Sequence, residues 1–293
     1  MIRRVLDFAI RGIIVAVPAV ALLCCDPLHA PHRDAESAPA VTTIGCDVDP
    51  AICGTIAGRV SCAGPVPAWP PIVIGIPQPD GTSRSRAYPN PNFWQVEPTT
   101  HGVAGAVVFL ESVELSRSRP WDHPPVRIEM HDEQIRVVQG NAVGQIGIVR
   151  RGEEIEMVSR DAAFHLLSVR GAAFFALAFP DPDRPLRRRL DHSGLVELTS
   201  GAGKYWHQAY LFVAEHPYFT RTDANGRFVF KQVPAGDYRI RCWLPNGKIV
   251  LRDRDPNMGS IIRHHYAPPL ERAKPIMVSP RMKSDVDFEM RCE

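Results

Sequence analysis

No window of this chain carries an apolar stripe of helical period longer than about three turns, whereas short runs alternating apolar and polar residues recur along its length. Glycine, proline or charge bounds each of them. The first clear run follows Cys53, as Gly54-Thr55-Ile56-Ala57-Gly58-Arg59-Val60. A Pro-rich stretch over 64–98 holds one strand-like piece, Ile72-Val73-Ile74-Gly75-Ile76, and 103–113 reads as a mostly buried strand. Strands are then expected at 126–130, 134–138, 145–149 and 154–158, and again at 163–169, 195–198 and 210–214. Near the C-terminus a turn over 222–227 leads into a strand with Phe228 and Phe230 on one face. A second turn, Val233-Pro234-Ala235-Gly236-Asp237, precedes a strand from Tyr238 to Trp243. There Tyr238, Ile240 and Cys242 point one way, and Arg239, Arg241 and Trp243 the other. Runs at 276–278 and 286–290 close this sheet, and 246–275 is a charged, Pro-containing excursion that includes His264-His265. The pattern predicts an all-β chain.

The first thirty residues follow a different pattern. Arg3, Arg4 and Arg11 precede an uncharged run from Ile13 to Cys25 that ends at Asp26. That run is too short to span a bilayer as a helix. A basic start before a short apolar stretch is the build of a secretory signal over 1–30. Cleavage is expected after Ala30, with Ala38-Pro39-Ala40 as a second option and an uncleaved anchor as the alternative. Cys24-Cys25 suggests a lipid-modified cysteine, but Leu22-Leu23 ahead of it lacks the small residue such processing takes. Residues 31–52 are polar and without period, as in a tether. The expectation is export to the periplasm or cell surface, with no membrane span in the mature chain. Of the cysteines left after residue 30, Cys46, Cys53 and Cys62 fall in a Pro/Gly-rich segment, and Cys242 and Cys292 stand apart. Cys46–Cys53 is the preferred disulfide in an oxidising compartment. The odd count leaves at least one thiol unpaired within the chain.

Composition narrows the function classes. The 293 residues include 28 Pro and 21 Gly, which leaves little room for long helices, and a formal net charge of +2 gives no electrostatic case for nucleic acid. Collagen-like, coiled-coil and multispanning membrane architectures are excluded by the same numbers.

Two family resemblances organise the rest. T-D-x-x-G-x-F-x-F from Thr222, then V-P-x-G-x-Y-x-I from Val233 and Trp243, resembles the carboxypeptidase regulatory-like, or transthyretin-like, β-sandwich. This implies such a sandwich over 216–293. Gly54 to Val60 resembles the opening strand of the same kind of module. Residues 53–125 then form either a second such region or part of one discontinuous sandwich with an insert. Arg151-Gly152-Glu153-Glu154-Ile155-Glu156-Met157-Val158-Ser159-Arg160-Asp161 leading to His165 resembles the approach to the first copper ligand of cupredoxins. His216-Pro217-Tyr218-Phe219, just ahead of T-D-x-x-G, keeps the order seen where a cupredoxin precedes a regulatory-like sandwich. The resemblance implies a cupredoxin-like Greek-key sandwich over 126–215.

The ligands such a centre takes do not carry over. No cysteine lies between Cys62 and Cys242. By distance from His216, Gly201 falls at the thiolate position, Lys204 at that of the second histidine, and His207 near that of the methionine. A blue-copper centre needs a thiolate in a His₂Cys plane, so no resident cofactor is expected. An imidazole site for copper or zinc on His165, His207 and His192 is the alternative, set against a half-buried strand histidine and a loop histidine.

Other motifs resolve to turns and loops. Ser200-Gly201-Ala202-Gly203-Lys204 lacks phosphate-loop spacing, and neither a G-x-S-x-G nor an H-E-x-x-H motif occurs. His131-Asp132-Glu133 reads as a solvated turn, Asp223-Asn225-Gly226 as a plain turn lacking a calcium loop's later carboxylate, and Arg187-Arg188-Arg189 as a solvated loop. Tyr205, Trp206 and Trp243 are candidates for stacking on a sugar ring, against the alternative of core or inter-domain packing. Trp243 either meets a neighbouring domain or is exposed. The chain is thus expected to be a non-catalytic envelope protein that binds carbohydrate or another protein, with metal binding as the alternative.

Overall fold

In a computed structural model, which describes residues 49–77 and 80–291, the strand opened by the first alternating run extends over Cys53–Ala63. The expected signal, most of the tether, Cys46 and Cys292 lie outside the described residues, and with them the Cys46–Cys53 pairing; Cys53, Cys62 and Cys242 are buried free thiols. Among the described residues no helix is long and apolar enough to cross a membrane. The end of the tether folds as a single 3-10 turn, Pro50–Ile52, whose Ile52 carbonyl accepts from Ala235 N at 2.9 Å.

Cys53–Ala63 pairs antiparallel with Arg227–Pro234, and parallel with Lys283–Asp285 and Phe288–Arg291. The facing sheet orders Phe219–Arg221, Val107–Glu111, Gly236–Leu244 and Leu270–Val278. Ile56, Val60, Leu110, Phe230, Ile240 and Phe288 fill the space between, each 0–1% exposed. This sandwich is discontinuous: two of its strands precede the 126–214 segment and the rest follow it. Long-range pairing of the first strand with the last ones is what closes it. The T-D-x-x-G turn sits on that seam. Asp223 Oδ1 accepts from Asn225 N and Arg227 N, both at 2.8 Å, so its carboxylate holds the turn. Gly226 has φ +77°, and a Cβ there would lie 2.3 Å from the Val60 carbonyl oxygen, so only glycine fits.

Between these strands the chain builds a second sandwich of two five-stranded sheets. One orders Phe175–Phe179, His165–Gly171, Gly194–Ser200, Gln208–Ala214 and Ile146–Arg150; the other orders Leu186–Arg189, Glu154–Ser159, Val126–His131, Gln134–Gln139 and Ala142–Gly144. Each contains one parallel pair, Gln208–Ala214 with Ile146–Arg150 and Val126–His131 with Glu154–Ser159, as the chain crosses from sheet to sheet. Ile128, Val137, Met157, Val196 and Leu211 are fully buried between them.

The two sandwiches share a third apolar cluster of Val107, Ile146, Tyr210, Phe212 and Trp243. This accounts for the strands that read as continuous apolar runs. In Val107–Glu111, Val108 and Leu110 enter the first core, while Val107 and Phe109 enter the shared cluster. Both faces are covered, so the alternation disappears. Trp243 is 3% exposed, with its ring edge-on to Tyr210 and Phe212 at 5.1 Å, which resolves its placement as inter-sandwich packing.

Four readings change in detail. The Arg187-Arg188-Arg189 run is an edge strand, Leu186–Arg189, whose Arg187 pairs across with Glu156 at 2.9 Å. Charge made it look like a loop, but an edge strand with a wet face tolerates it. Strands Phe175–Phe179 and Ser83–Tyr88 add partners that the sequence pattern left as loop. The excursion at 246–275 holds a two-stranded hairpin, Ile249–Arg254 with Ile261–Tyr266, and the start of Leu270–Val278. The last expected strand, 286–290, starts later as Phe288–Arg291, and a separate short strand, Lys283–Asp285, precedes it.

Candidate functional site

The structure brings His165 and His207 together. His165 opens a strand beside the loop that delivers His207 to the start of Gln208–Ala214, and the two residues are 2% and 3% exposed. Their rings stack at a centroid distance of 5.7 Å and 20°. His165 Nε2 lies 3.1 Å from Asp161 Oδ2, and His207 Nε2 donates to the Glu133 carbonyl at 2.7 Å. Burial pushes the His207 imidazole down to about 3. Burial and then the Lys204 charge also lower His165, so both rings are neutral at pH 7. His192 is elsewhere, exposed on the turn that precedes Gly194–Ser200, while His165 and His207 lie beyond the far end of that strand.

The donor set does not fit a blue-copper ion. At Gly201 an added Cβ would lie 2.8 Å from Leu166 Cδ2, so a leucine holds the space a thiolate would need. Lys204 places its Nζ out of solvent with no hydrogen-bond partner, 3.8 Å from Glu133 Oε1. Both Nε2 atoms are already engaged, and among the described residues no three His, Cys, Asp or Glu side chains converge to hold a metal ion. Titration with Cu(II) and Zn(II) is therefore expected to show no stoichiometric uptake that depends on His165. Uptake abolished by His165→Ala and His207→Ala would restore the metal reading.

The nominated aromatics are largely spent on packing. Trp206 stacks on Tyr88 at 5.4 Å and 14°, and its Nε1 donates to the Glu133 carbonyl at 2.8 Å. Tyr205 lies edge-on to Trp206 and 4.7 Å from the ring of His264. Together they dock the hairpin of Ile72–Pro77 and Ser83–Tyr88 and the later hairpin carrying His264. Of the three, Trp206 lines the larger cleft.

That cleft, of about 600 Å³, lies between the sandwiches. One wall is the loop around Trp94, with Phe93 and Gln95; the other is the end of the second sandwich, with Gln134, Val143 and Gly144. Phe93 is 51% exposed, an aromatic face held out by the loop. Trp94 anchors that loop beneath it, 5% exposed, by donating Nε1 to the Pro245 carbonyl at 2.9 Å. Asn90 and Asn92 hold the loop likewise, donating to the Gly247 and Asn246 carbonyls. Gln208 is occupied, donating to Glu197 and to the Tyr210 hydroxyl. The side-chain amides of Gln95 and Gln134 have no protein hydrogen bond among the described residues. Sequence reasoning found Trp206 but not Phe93, Gln95 or Gln134. Nothing in their local pattern signals a site, because tertiary docking alone assembles the walls.

No family model matches this chain, and no curated protein matches it. Among solved structures it resembles a copper-containing nitrite reductase from Thermus scotoductus, at 14% identity and a TM-score of 0.26, over 33% of this chain and 24% of that one. It also resembles a methionine-to-alanine variant of amicyanin in the Cu(I) form, at 10% identity and a TM-score of 0.25, over 36% of this chain and 98% of that one. A reduced tryptophan-to-tyrosine variant of amicyanin gives 10% identity and a TM-score of 0.24. The chain therefore spans about a quarter of the nitrite reductase, and these likenesses carry no activity across to it. The all-β fold class rests on the strands themselves.

Proposed function

We propose that this protein is exported and serves as a non-catalytic binding protein of the cell envelope, holding a saccharide in the cleft between its two sandwiches. The observation that carries this reading is the lining of that cleft. The unpartnered amide of Gln95 stands beside the exposed ring of Phe93 on one wall, with the amide of Gln134 and apolar Val143 on the other. A sugar ring presents hydroxyls that pair with amides and a C–H face that packs on an aromatic ring. A cleft of this size, mostly apolar with a few polar groups, is of the class that holds a small ligand. Export is supported by the basic, then apolar, start of the chain.

A glycan array probed with the chain from residue 31 onward tests this directly. Selective binding to a saccharide class is expected. Phe93→Ala should weaken it about tenfold, in line with the loss of one aromatic stacking contact, while leaving the melting temperature unchanged. Absence of any saccharide binding would overturn the reading in favour of a protein partner, and full binding by Phe93→Ala would remove this cleft as the saccharide site.

A further inference from the structure

One side chain of the cleft is out of keeping with the rest. Arg221 ends the strand Phe219–Arg221 and is the only charged residue among those described as lining the cleft. Its Nη1 donates to the Ile146 carbonyl at 2.9 Å, across the boundary between the sandwiches. It has no carboxylate partner among the described residues. Arg241, by contrast, is matched with acids, donating to Glu111 at 2.6 Å and to Glu271 at 2.7 Å. Half-buried Arg59 also donates to backbone carbonyls alone, but of the two only Arg221 is among the residues lining the cleft. Burial lowers its pKa with no acidic neighbour to offset the cost, which marks a cation held ready without its counter-charge. An arginine of this kind keeps its charge and presents a planar fork of donors that suits a carboxylate. Gly144 faces the same end of the side chain, since a Cβ there would lie 4.0 Å from Nη1.

The geometry points to an acidic saccharide as the ligand class of this cleft: a uronic-acid residue whose carboxylate pairs with Arg221, whose hydroxyls meet Gln95 and Gln134, and whose apolar face meets Phe93. This inference rests on the saccharide reading above and goes further by fixing the charge of the ligand. The neutral lining around a single guanidinium explains why one carboxylate per sugar suits it better than a densely anionic polymer. Each extra negative charge would enter a wall of amides and apolar groups that offers no partner.

Isothermal titration of di- and trigalacturonate against their methyl esters tests this on the unaltered chain, because esterification removes the charge and keeps the sugar. The acids are expected to bind at least about tenfold more tightly than the esters, as a charge-assisted pair requires. Arg221→Met should abolish that difference, and Arg221→Lys should retain part of it, since the charge stays and the fork is lost. Circular dichroism melts of both variants separate lost binding from lost folding. Equal binding of acids and esters by the unaltered protein would overturn the acidic-ligand inference and leave the saccharide reading standing. Binding of neither, together with an empty glycan array, would remove both.

Discussion

Gly58→Ala is expected to unfold the first sandwich, or to cost it more than about 3 kcal/mol, the range reserved for buried steric conflict. Gly58 lies in the strand Cys53–Ala63 where its parallel partner changes from Lys283–Asp285 to Phe288–Arg291. The chain joining those two segments passes directly over it. A Cβ on Gly58 would lie 1.8 Å from the Val286 carbonyl oxygen and 2.8 Å from Phe228 Cζ. The carbonyl belongs to a residue whose N–H donates to Ala57 O at 3.0 Å, so moving it releases pairing on both sides. Gly75→Ala is the control. It lies in a strand too, but its Cβ would meet only the Ser83 hydroxyl at 2.9 Å, which can rotate away. That change should stay within about 1 kcal/mol. Urea titration of the two variants measures the difference; comparable midpoints would mean that the Val286 crossing yields easily.

Mild acid is the second large effect, with stability expected to fall steadily from pH 6.5 towards pH 4. Among the described residues His165, His207, His216 and His264 are buried and neutral, and the last three are shifted furthest. Burial holds His207 down to about 3, against the raising influence of Asp161 and with the further lowering influence of His165 and Lys204. Burial brings His216 to about 4 despite Glu215, and His264 to about 4 with Arg252 adding to the effect. The sign follows from proton counting. Below about 6.5 the unfolded chain binds protons that the folded chain refuses, so stability rises with pH across this window and is lost as pH falls through it. By pH 5 each buried imidazole has given up about 2 kcal/mol, a large combined share of a typical net stability of ~5–15 kcal/mol. His264 offers the clean test, since both its ring nitrogens lack partners beside Tyr205 and Tyr266. His264→Phe should raise the melting temperature at pH 5 more than at pH 7.5. A melting temperature flat between those values in the unaltered protein would show that none of the three is held neutral by burial.

Much of the fold was legible in the chain because strand periodicity is local. The expected runs at 126–130, 134–138, 154–158 and 210–214 each fall inside an observed strand. The T-D-x-x-G turn was equally readable, since Asp223 and Gly226 act within a few residues of one another. Strands whose partners carry the information were not. Leu186–Arg189 is held by charge pairs to Glu154–Ser159 rather than by an apolar face of its own. The proximity of His165 and His207 was anticipated from order along the chain, whereas the exclusion of His192 needed the sheet register.

What the sequence determined by itself is the all-β class, most strand positions and the glycine-dependent turns, because backbone sterics and side-chain alternation act over two to six residues. Whether residues 53–125 stand apart or join the last strands was decided only by tertiary pairing, as was the burial of Trp243 between the sandwiches. The cleft belongs to the same category. Phe93, Gln134 and Arg221 are distant in sequence and unremarkable in their own segments. They come to line one space because long-range packing of two sandwiches brings them there, with a guanidinium that lacks a carboxylate partner among the described residues.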